Sequence, residues 1–180
     1  MCRHNCFFYG LLAKHNIVSL LVDCCSDGDN HTRNSACFAI GNVAYHNDFF
    51  YEELRRCIPK LANLLLSEEE LDRTKINASG ALSNLVRHSN KFCHDMVSKG
   101  AMLALLKLVE DHSVVAPNSS WCESPPKVAL LALDKMCVHT SFRQFVRASD
   151  QYSLIETLCE SEDEMIAKHA SNIIKRTSQS

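Results

Sequence analysis

Hydrophobic positions along the chain fall into two alternating kinds of segment. One kind carries Leu, Ile and Val at helical spacing: Ile17-Leu20-Leu21, then Ile58-Leu61-Leu64-Leu65, Leu103-Leu106-Leu108-Val109 and Leu154-Ile155-Leu158. The other kind is marked by small residues and repeats Ala-x-x-Ala, at Ala36/Ala39, Ala78/Ala81, Ala129/Ala132 and Ala167/Ala170. Successive Ala pairs stand 42, 51 and 38 residues apart, so the pattern predicts a unit of two long helices repeated four times. Ahead of three Leu-rich segments lies a shorter stretch, Phe49 to Leu54, Phe92 to Val97 and Phe142 to Val146. Each supplies a short first helix, and Gly100 separates one of them from the helix that follows.

The long middle interval requires an insertion, and residues 112–126 supply it. They hold three of the four prolines and no helical period, so they read as a loop, with Pro125 and Pro126 able to start the next helix. Small Ala at the recurring positions has a physical reason: where third helices stack on one another, bulky side chains would hold the backbones apart. Polar residues of cap type, Asn30 or Thr32 and Ser124, stand where third helices begin. The expected layout is one domain over residues 1–180, with repeats at 3–46, 47–89, 90–139 and 140–176.

Composition supports an all-helical, folded chain. Of 180 residues, 46% are apolar and 22% charged, and five Gly with four Pro are too few for the turns of a β-sandwich. The formal charge is −2 with both signs mixed, which offers no footprint for nucleic acid. No apolar run reaches the ~20 residues of a membrane span, and no signal peptide opens the chain, so a cytoplasmic protein is expected. Ten cysteines at irregular spacing, among them Cys37, Cys93, Cys137 and Cys159 within apolar helical patterns, read as reduced buried thiols. Three matches to the glycosylation sequon, beginning at Asn30, Asn77 and Asn118, are then chance.

The period fits armadillo and HEAT repeats, which run about 40–47 residues, and three helices per unit favours armadillo. Ala36-Cys-Phe-Ala-Ile-Gly-Asn42 and Ala78-Ser-Gly-Ala-Leu-Ser-Asn84 resemble the third-helix signature of armadillo proteins. Together with Tyr51-Glu-Glu-Leu-Arg, Ile58-Pro-Lys-Leu and Ser98-Lys-Gly-Ala-Met-Leu-Ala-Leu-Leu-Lys-Leu-Val109, the stretches Asn34 to Tyr45 and Asn77 to Arg87 look like the C-terminal armadillo region of Fused-type serine/threonine kinases. They are also similar to the unc-51-like family with armadillo tails. The resemblance covers roughly residues 30–176. It implies a right-handed α-solenoid of about four armadillo-type repeats, lying at one end of a longer kinase. It further implies work in Hedgehog-type signalling, motile-cilium assembly or, in plant relatives, cytokinesis. The chain itself has no Gly-rich phosphate loop, no His-Arg-Asp and no Asp-Phe-Gly, so no catalytic residue is assigned.

The expected function is therefore that of a non-catalytic scaffold for a protein partner, with no cofactor. In peptide-binding armadillo proteins an Asn late in each third helix pairs with the backbone of an extended ligand, and Asn42 and Asn84 match that position. They can equally bond a neighbouring helix. Lys135 stands at the equivalent place in the third repeat, and Phe38 and Gly80 stand where nuclear-signal receptors of the family carry Trp. Arg33, Arg73, Asn77, Arg87, Lys127 and Lys135 would line the same groove and suit an acidic or phosphorylated segment, although an ordinary solvated face has the same pattern. Trp121, in the inserted loop, is a candidate anchor. Cys2, His4 and Cys6, like the Cys24-Cys25 pair, lack a second pair at finger spacing, so no metal is expected. Cys93, His94 and Asp95 point about 100° apart on a helix and cannot meet as a nucleophile and base. His15, His46, His88 and His139 near helix ends read as caps. The rival expectation is a structural part of a ciliary or cytoskeletal assembly, and a further one is part of an active kinase.

Overall fold

A computed structural model describes residues 8–46, 49–111 and 124–179. Among these residues there are twelve helices and no strand. They fall into four sets of three: α1 (Tyr9–Lys14), α2 (Ile17–Cys24) and α3 (Asn30–Ala44); α4 (Tyr51–Arg55), α5 (Cys57–Leu66) and α6 (Asp72–Leu85); α7 (Cys93–Ser98), α8 (Ala101–Asp111) and α9 (Pro125–Met136); α10 (Thr140–Arg147), α11 (Tyr152–Leu158) and α12 (Glu164–Thr177). The third helices stack in series, α3 on α6, α6 on α9 and α9 on α12, while α5 packs on α8 and each second helix packs on its own third helix. The result is an α-solenoid.

The Ala pattern is the seam of this stack. Ala36, Ala78, Ala81, Ala129, Ala132 and Ala170 are buried, and Ala39 and Ala167 are half-buried. At Gly41 the approach is closest to a limit: a Cβ there would lie 3.5 Å from the Ala81 Cα, so anything larger than Ala would push α3 from α6. Most of the Leu and Ile positions at helical spacing in the second helices join the core, with Ile58, Leu61, Leu106 and Leu108 fully enclosed, whereas Leu20 and Leu103 of the same pattern face outward, 60% and 40% exposed.

Junctions follow local chemistry. Asn16 (φ 52°) and Gly100 (φ 77°) both take the left-handed conformation where a first helix turns into a second, and these are residue types that enter it readily. The first repeat has a short first helix that the pattern did not single out. Tyr9 holds it in place, with its ring 5.5 Å from that of Phe50 and its buried hydroxyl donating to the Val43 carbonyl at 2.7 Å. The cap of α3 is Asp29, whose carboxylate accepts from the Thr32 amide at 2.7 Å, and not Asn30 or Thr32; Asp163 caps α12 in the same way. Ser124 precedes α9 without a side-chain cap, and Pro125 and Pro126 occupy the first helical positions as expected.

Candidate protein-interaction face

Each third helix spends one side on its neighbours and leaves a strip at i, i+4, i+7 and i+11 that no described residue fully covers. On α3 and just beyond, this strip holds His31, Ser35, Phe38, Asn42 and Tyr45; on α6 it holds Arg73, Asn77, Gly80, Asn84 and Arg87. On α9 it continues with Val128, Leu131, Lys135 and Val138. All are exposed or half-buried, and Phe38 and Val138 show 55% and 57% of their surface. None of these positions carries a carboxylate.

The two asparagines differ in use. Asn84 Nδ2 donates to the Gly41 carbonyl at 3.1 Å, tying α6 to the preceding repeat, while its carboxamide oxygen has no protein partner among the described residues. The Asn42 side chain has no hydrogen bond among the described residues and stays half-exposed. Asn77 Nδ2 donates to Asn34 Oδ1 at 2.7 Å, a side-chain rung between α3 and α6. Asn172, which the Ala spacing did not align with this column, makes the same reach in the last repeat, donating to Asp134 Oδ2 at 2.9 Å. Its sequence signal was its place 37 residues after Lys135, one less than the Ala interval.

Two of the six proposed groove residues are already neutralised within the fold. Arg33 Nε lies 2.6 Å from the buried Glu70 carboxylate and donates to the Asp27 and Gly28 carbonyls, and Lys127 pairs with Asp163. Arg87 is exposed with its guanidinium 4.2 Å from the centre of the Tyr45 ring, a cation–π contact that holds it over the groove. Arg73 and Lys135 are exposed. Trp121, like Cys2, His4 and Cys6, lies outside the described residues.

Histidine behaves as a cap across repeats. His88 Nε2 lies 2.6 Å from the Tyr45 carbonyl and His139 Nε2 lies 2.9 Å from the Val86 carbonyl, so each meets an unsatisfied carbonyl at the end of the preceding repeat's third helix. His15 follows α1 at its C-terminus, whereas His46 Nε2 is buried without a partner among the described residues.

Cys93 is buried with its thiol pushed up by that burial, His94 is exposed, and Asp95 is held below the usual carboxylate range by the Arg55 guanidinium, with Lys99 adding to the effect. No group of three metal-ligating side chains occurs among the described residues, and the seven described cysteines are free thiols, five of them buried, with Cys24 and Cys159 half-buried. A polar depression beside α5 is lined by Arg33, Lys60 and Glu70, whose charges are spent on each other and on the α2–α3 loop. No helix among the described residues is long and apolar enough to cross a membrane.

Three-helix units joined through their third helices define an armadillo-repeat protein. A designed armadillo repeat protein in complex with the peptide (KR)4 is similar over 98% of this chain and 70% of its own, with a TM-score of 0.81 and 20% identity. An engineered protein matches 99% of this chain and 71% of its own at a TM-score of 0.82 and 18% identity. No family model matches the sequence. The sequence is 55% identical over 225 residues to the serine/threonine-protein kinase TIO of Arabidopsis thaliana, covering 99% of this chain and 17% of that kinase's length. The chain thus has the armadillo-repeat fold, and its sequence resembles the C-terminal part of a Fused-type kinase.

Proposed function

We propose that the chain is a non-catalytic interaction scaffold, the regulatory region of a Fused-type kinase, whose third-helix face holds an extended acidic or phosphorylated segment of a partner protein. The observation that carries this reading is the exposed strip across α3, α6 and α9: Asn42, Asn77, Asn84, Arg87 and Lys135 stand along it and no carboxylate interrupts it there. Side-chain amides offer donor and acceptor to a peptide backbone, and Arg87, already oriented over Tyr45, offers a planar fork to a carboxylate or phosphate. The likeness to a solenoid bound to (KR)4 supports a peptide as the class of ligand, while the sign of this face favours the opposite charge.

In the whole kinase the segment would serve Hedgehog-type signalling or motile-cilium assembly, in the cytoplasm or at the cilium. A structural role in a ciliary or cytoskeletal assembly is the second reading, favoured by Leu11 and Leu20, which show 51% and 60% of their surface away from the groove. The test is an array of acidic, phosphorylated and basic peptides probed with the purified chain and with an Arg87→Glu/Lys135→Glu variant of equal helicity. Acidic spots bound by the parent and lost with the variant are the expected result. Equal retention of the same spots would move the binding surface to Leu11, Leu20 and the ends of the stack.

A further inference from the structure

The geometry points to a notch at Gly80 that seats one large apolar side chain of that extended acidic segment, an assignment that rests on the reading of the third-helix face given above. Gly80 lies in the interior of α6, where glycine is less favourable than every other residue except proline. Nothing in the fold requires it. Its backbone is not in the left-handed region, and a Cβ built on it meets no atom within 4 Å, in contrast to Gly41, which faces Ala81. The missing side chain is therefore a gap in the exposed strip and not a concession to helix packing.

The equivalent positions on the neighbouring third helices are apolar. Phe38 occupies the equivalent position 42 residues earlier in α3 and is 55% exposed, and Leu131 occupies it 51 residues later in α9 and is half-buried. An exposed aromatic beside an empty backbone position, ringed by polar groups, has the composition of a binding hot spot. Asn77 and Asn84 stand one turn to either side of Gly80, where they can hold the ligand backbone while its side chain enters the notch.

Charge decides what surrounds that apolar residue. Packed helices lie about 8–10 Å apart, which an extended chain covers in roughly three residues at about 3.3 Å each. Ligand residues two or three positions from the seated side chain consequently reach the strip of α9, where Lys135 stands, and the side toward α3, where Arg87 lies over Tyr45. Acidic residues there complete the complementarity, and a phosphorylated residue would do so through the same groups.

The probe is a fluorescein-labelled nonapeptide of Asp and Glu with a central Leu, compared by anisotropy with its central-Ala counterpart and with an alternating Lys-Arg peptide, all against the full chain. The Leu peptide should bind about tenfold more tightly than the Ala peptide, the effect of burying most of a Leu side chain. Gly80→Leu fills the notch with a better helix former, and Phe38→Ala removes one wall; in both, the two acidic peptides should bind alike while still outbinding the basic one. Equal affinity for the two acidic peptides in the parent chain, or an undiminished Leu preference in Gly80→Leu, overturns the notch and leaves the acidic-segment reading standing. Failure of both acidic peptides to bind, or preference for the basic peptide, overturns that reading and the notch with it.

Discussion

Asp134 is buried in α9 and accepts from three side chains of α12: His169 Nδ1 at 2.8 Å, Asn172 Nδ2 at 2.9 Å and Arg176. Its replacement by Ala leaves His169, itself buried, without that partner, and should cost about 1–3 kcal/mol in urea unfolding. A residue at the opposite extreme is Gly80. Its Cβ position is open, so Gly80→Ala should raise stability by about 0.5–1 kcal/mol, through helix propensity and the unfolded chain alone. These two positions also show what a sequence conceals about single residues. The partners of Asp134 lie 35, 38 and 42 residues away, in another repeat, and no local pattern couples them. Gly80 was visible as a departure from the Trp of related receptors, but only the emptiness around it separates a gap from a packing need.

Elements are joined by pairs that span one repeat. Arg55 at the end of α4 bonds Asp95 in α7 at 2.6 and 3.1 Å, and Tyr51 stacks on Phe92 with ring centroids 4.4 Å apart, so the first helices of the second and third repeats are fastened twice. Because Asp95 is held below the ordinary carboxylate range in the folded chain, its contribution is complete above that range. It is lost as pH falls through the depressed value. Stability of the parent should therefore decline on acidification from the ordinary carboxylate range downward, and Asp95→Asn should lower the melting temperature at pH 7 while flattening that decline. Identical pH profiles for the two proteins would show that this joint does not respond to protonation. At the start of α3, Asp29→Ala should remove about 1 kcal/mol of capping, read in the same unfolding assay.

Helix boundaries at this scale were legible where one residue type has one use, as at Gly100 or Pro125. They were not legible where several cap formers stood together: Asp29, Asn30 and Thr32 all qualify, and only the turn geometry selects Asp29. Likewise the Ala pairs mark the seam between neighbouring helices, not the uncovered strip. In α12 the position six after Ala167 is Ile173, which is fully buried, while the exposed strip runs through Glu164, Lys168, Ser171 and Lys175.

For the whole molecule, contacts run within a repeat or between adjacent repeats, so stability is a sum of repeat and interface contributions and not that of a single core. The architecture was readable for that reason: the same burial requirement, met four times, writes the same spacing four times. Residues 112–123, most of the expected insertion, lie outside the described residues. Enclosed side chains concentrate in α5, α6, α8 and α9, while α11 contributes Ile155 and α2 contributes Val18 and Val22. Amide exchange should accordingly be slowest in the middle two repeats and fastest in α1, α2, α11 and α12. Uniform protection along the chain would indicate a single cooperative unit.

The buried cysteines turn this gradient into something a chemist can date. Burial pushes the Cys57 and Cys93 thiols up and Cys137 up to about 12, which holds back the thiolate that attacks an alkylating reagent. Each waits for its own joint to open, whereas half-buried Cys24 and Cys159 need far less opening. Site-resolved labelling times thus form a set of clocks distributed from the second helix of the chain to its eleventh, installed by packing and legible without introducing a single probe.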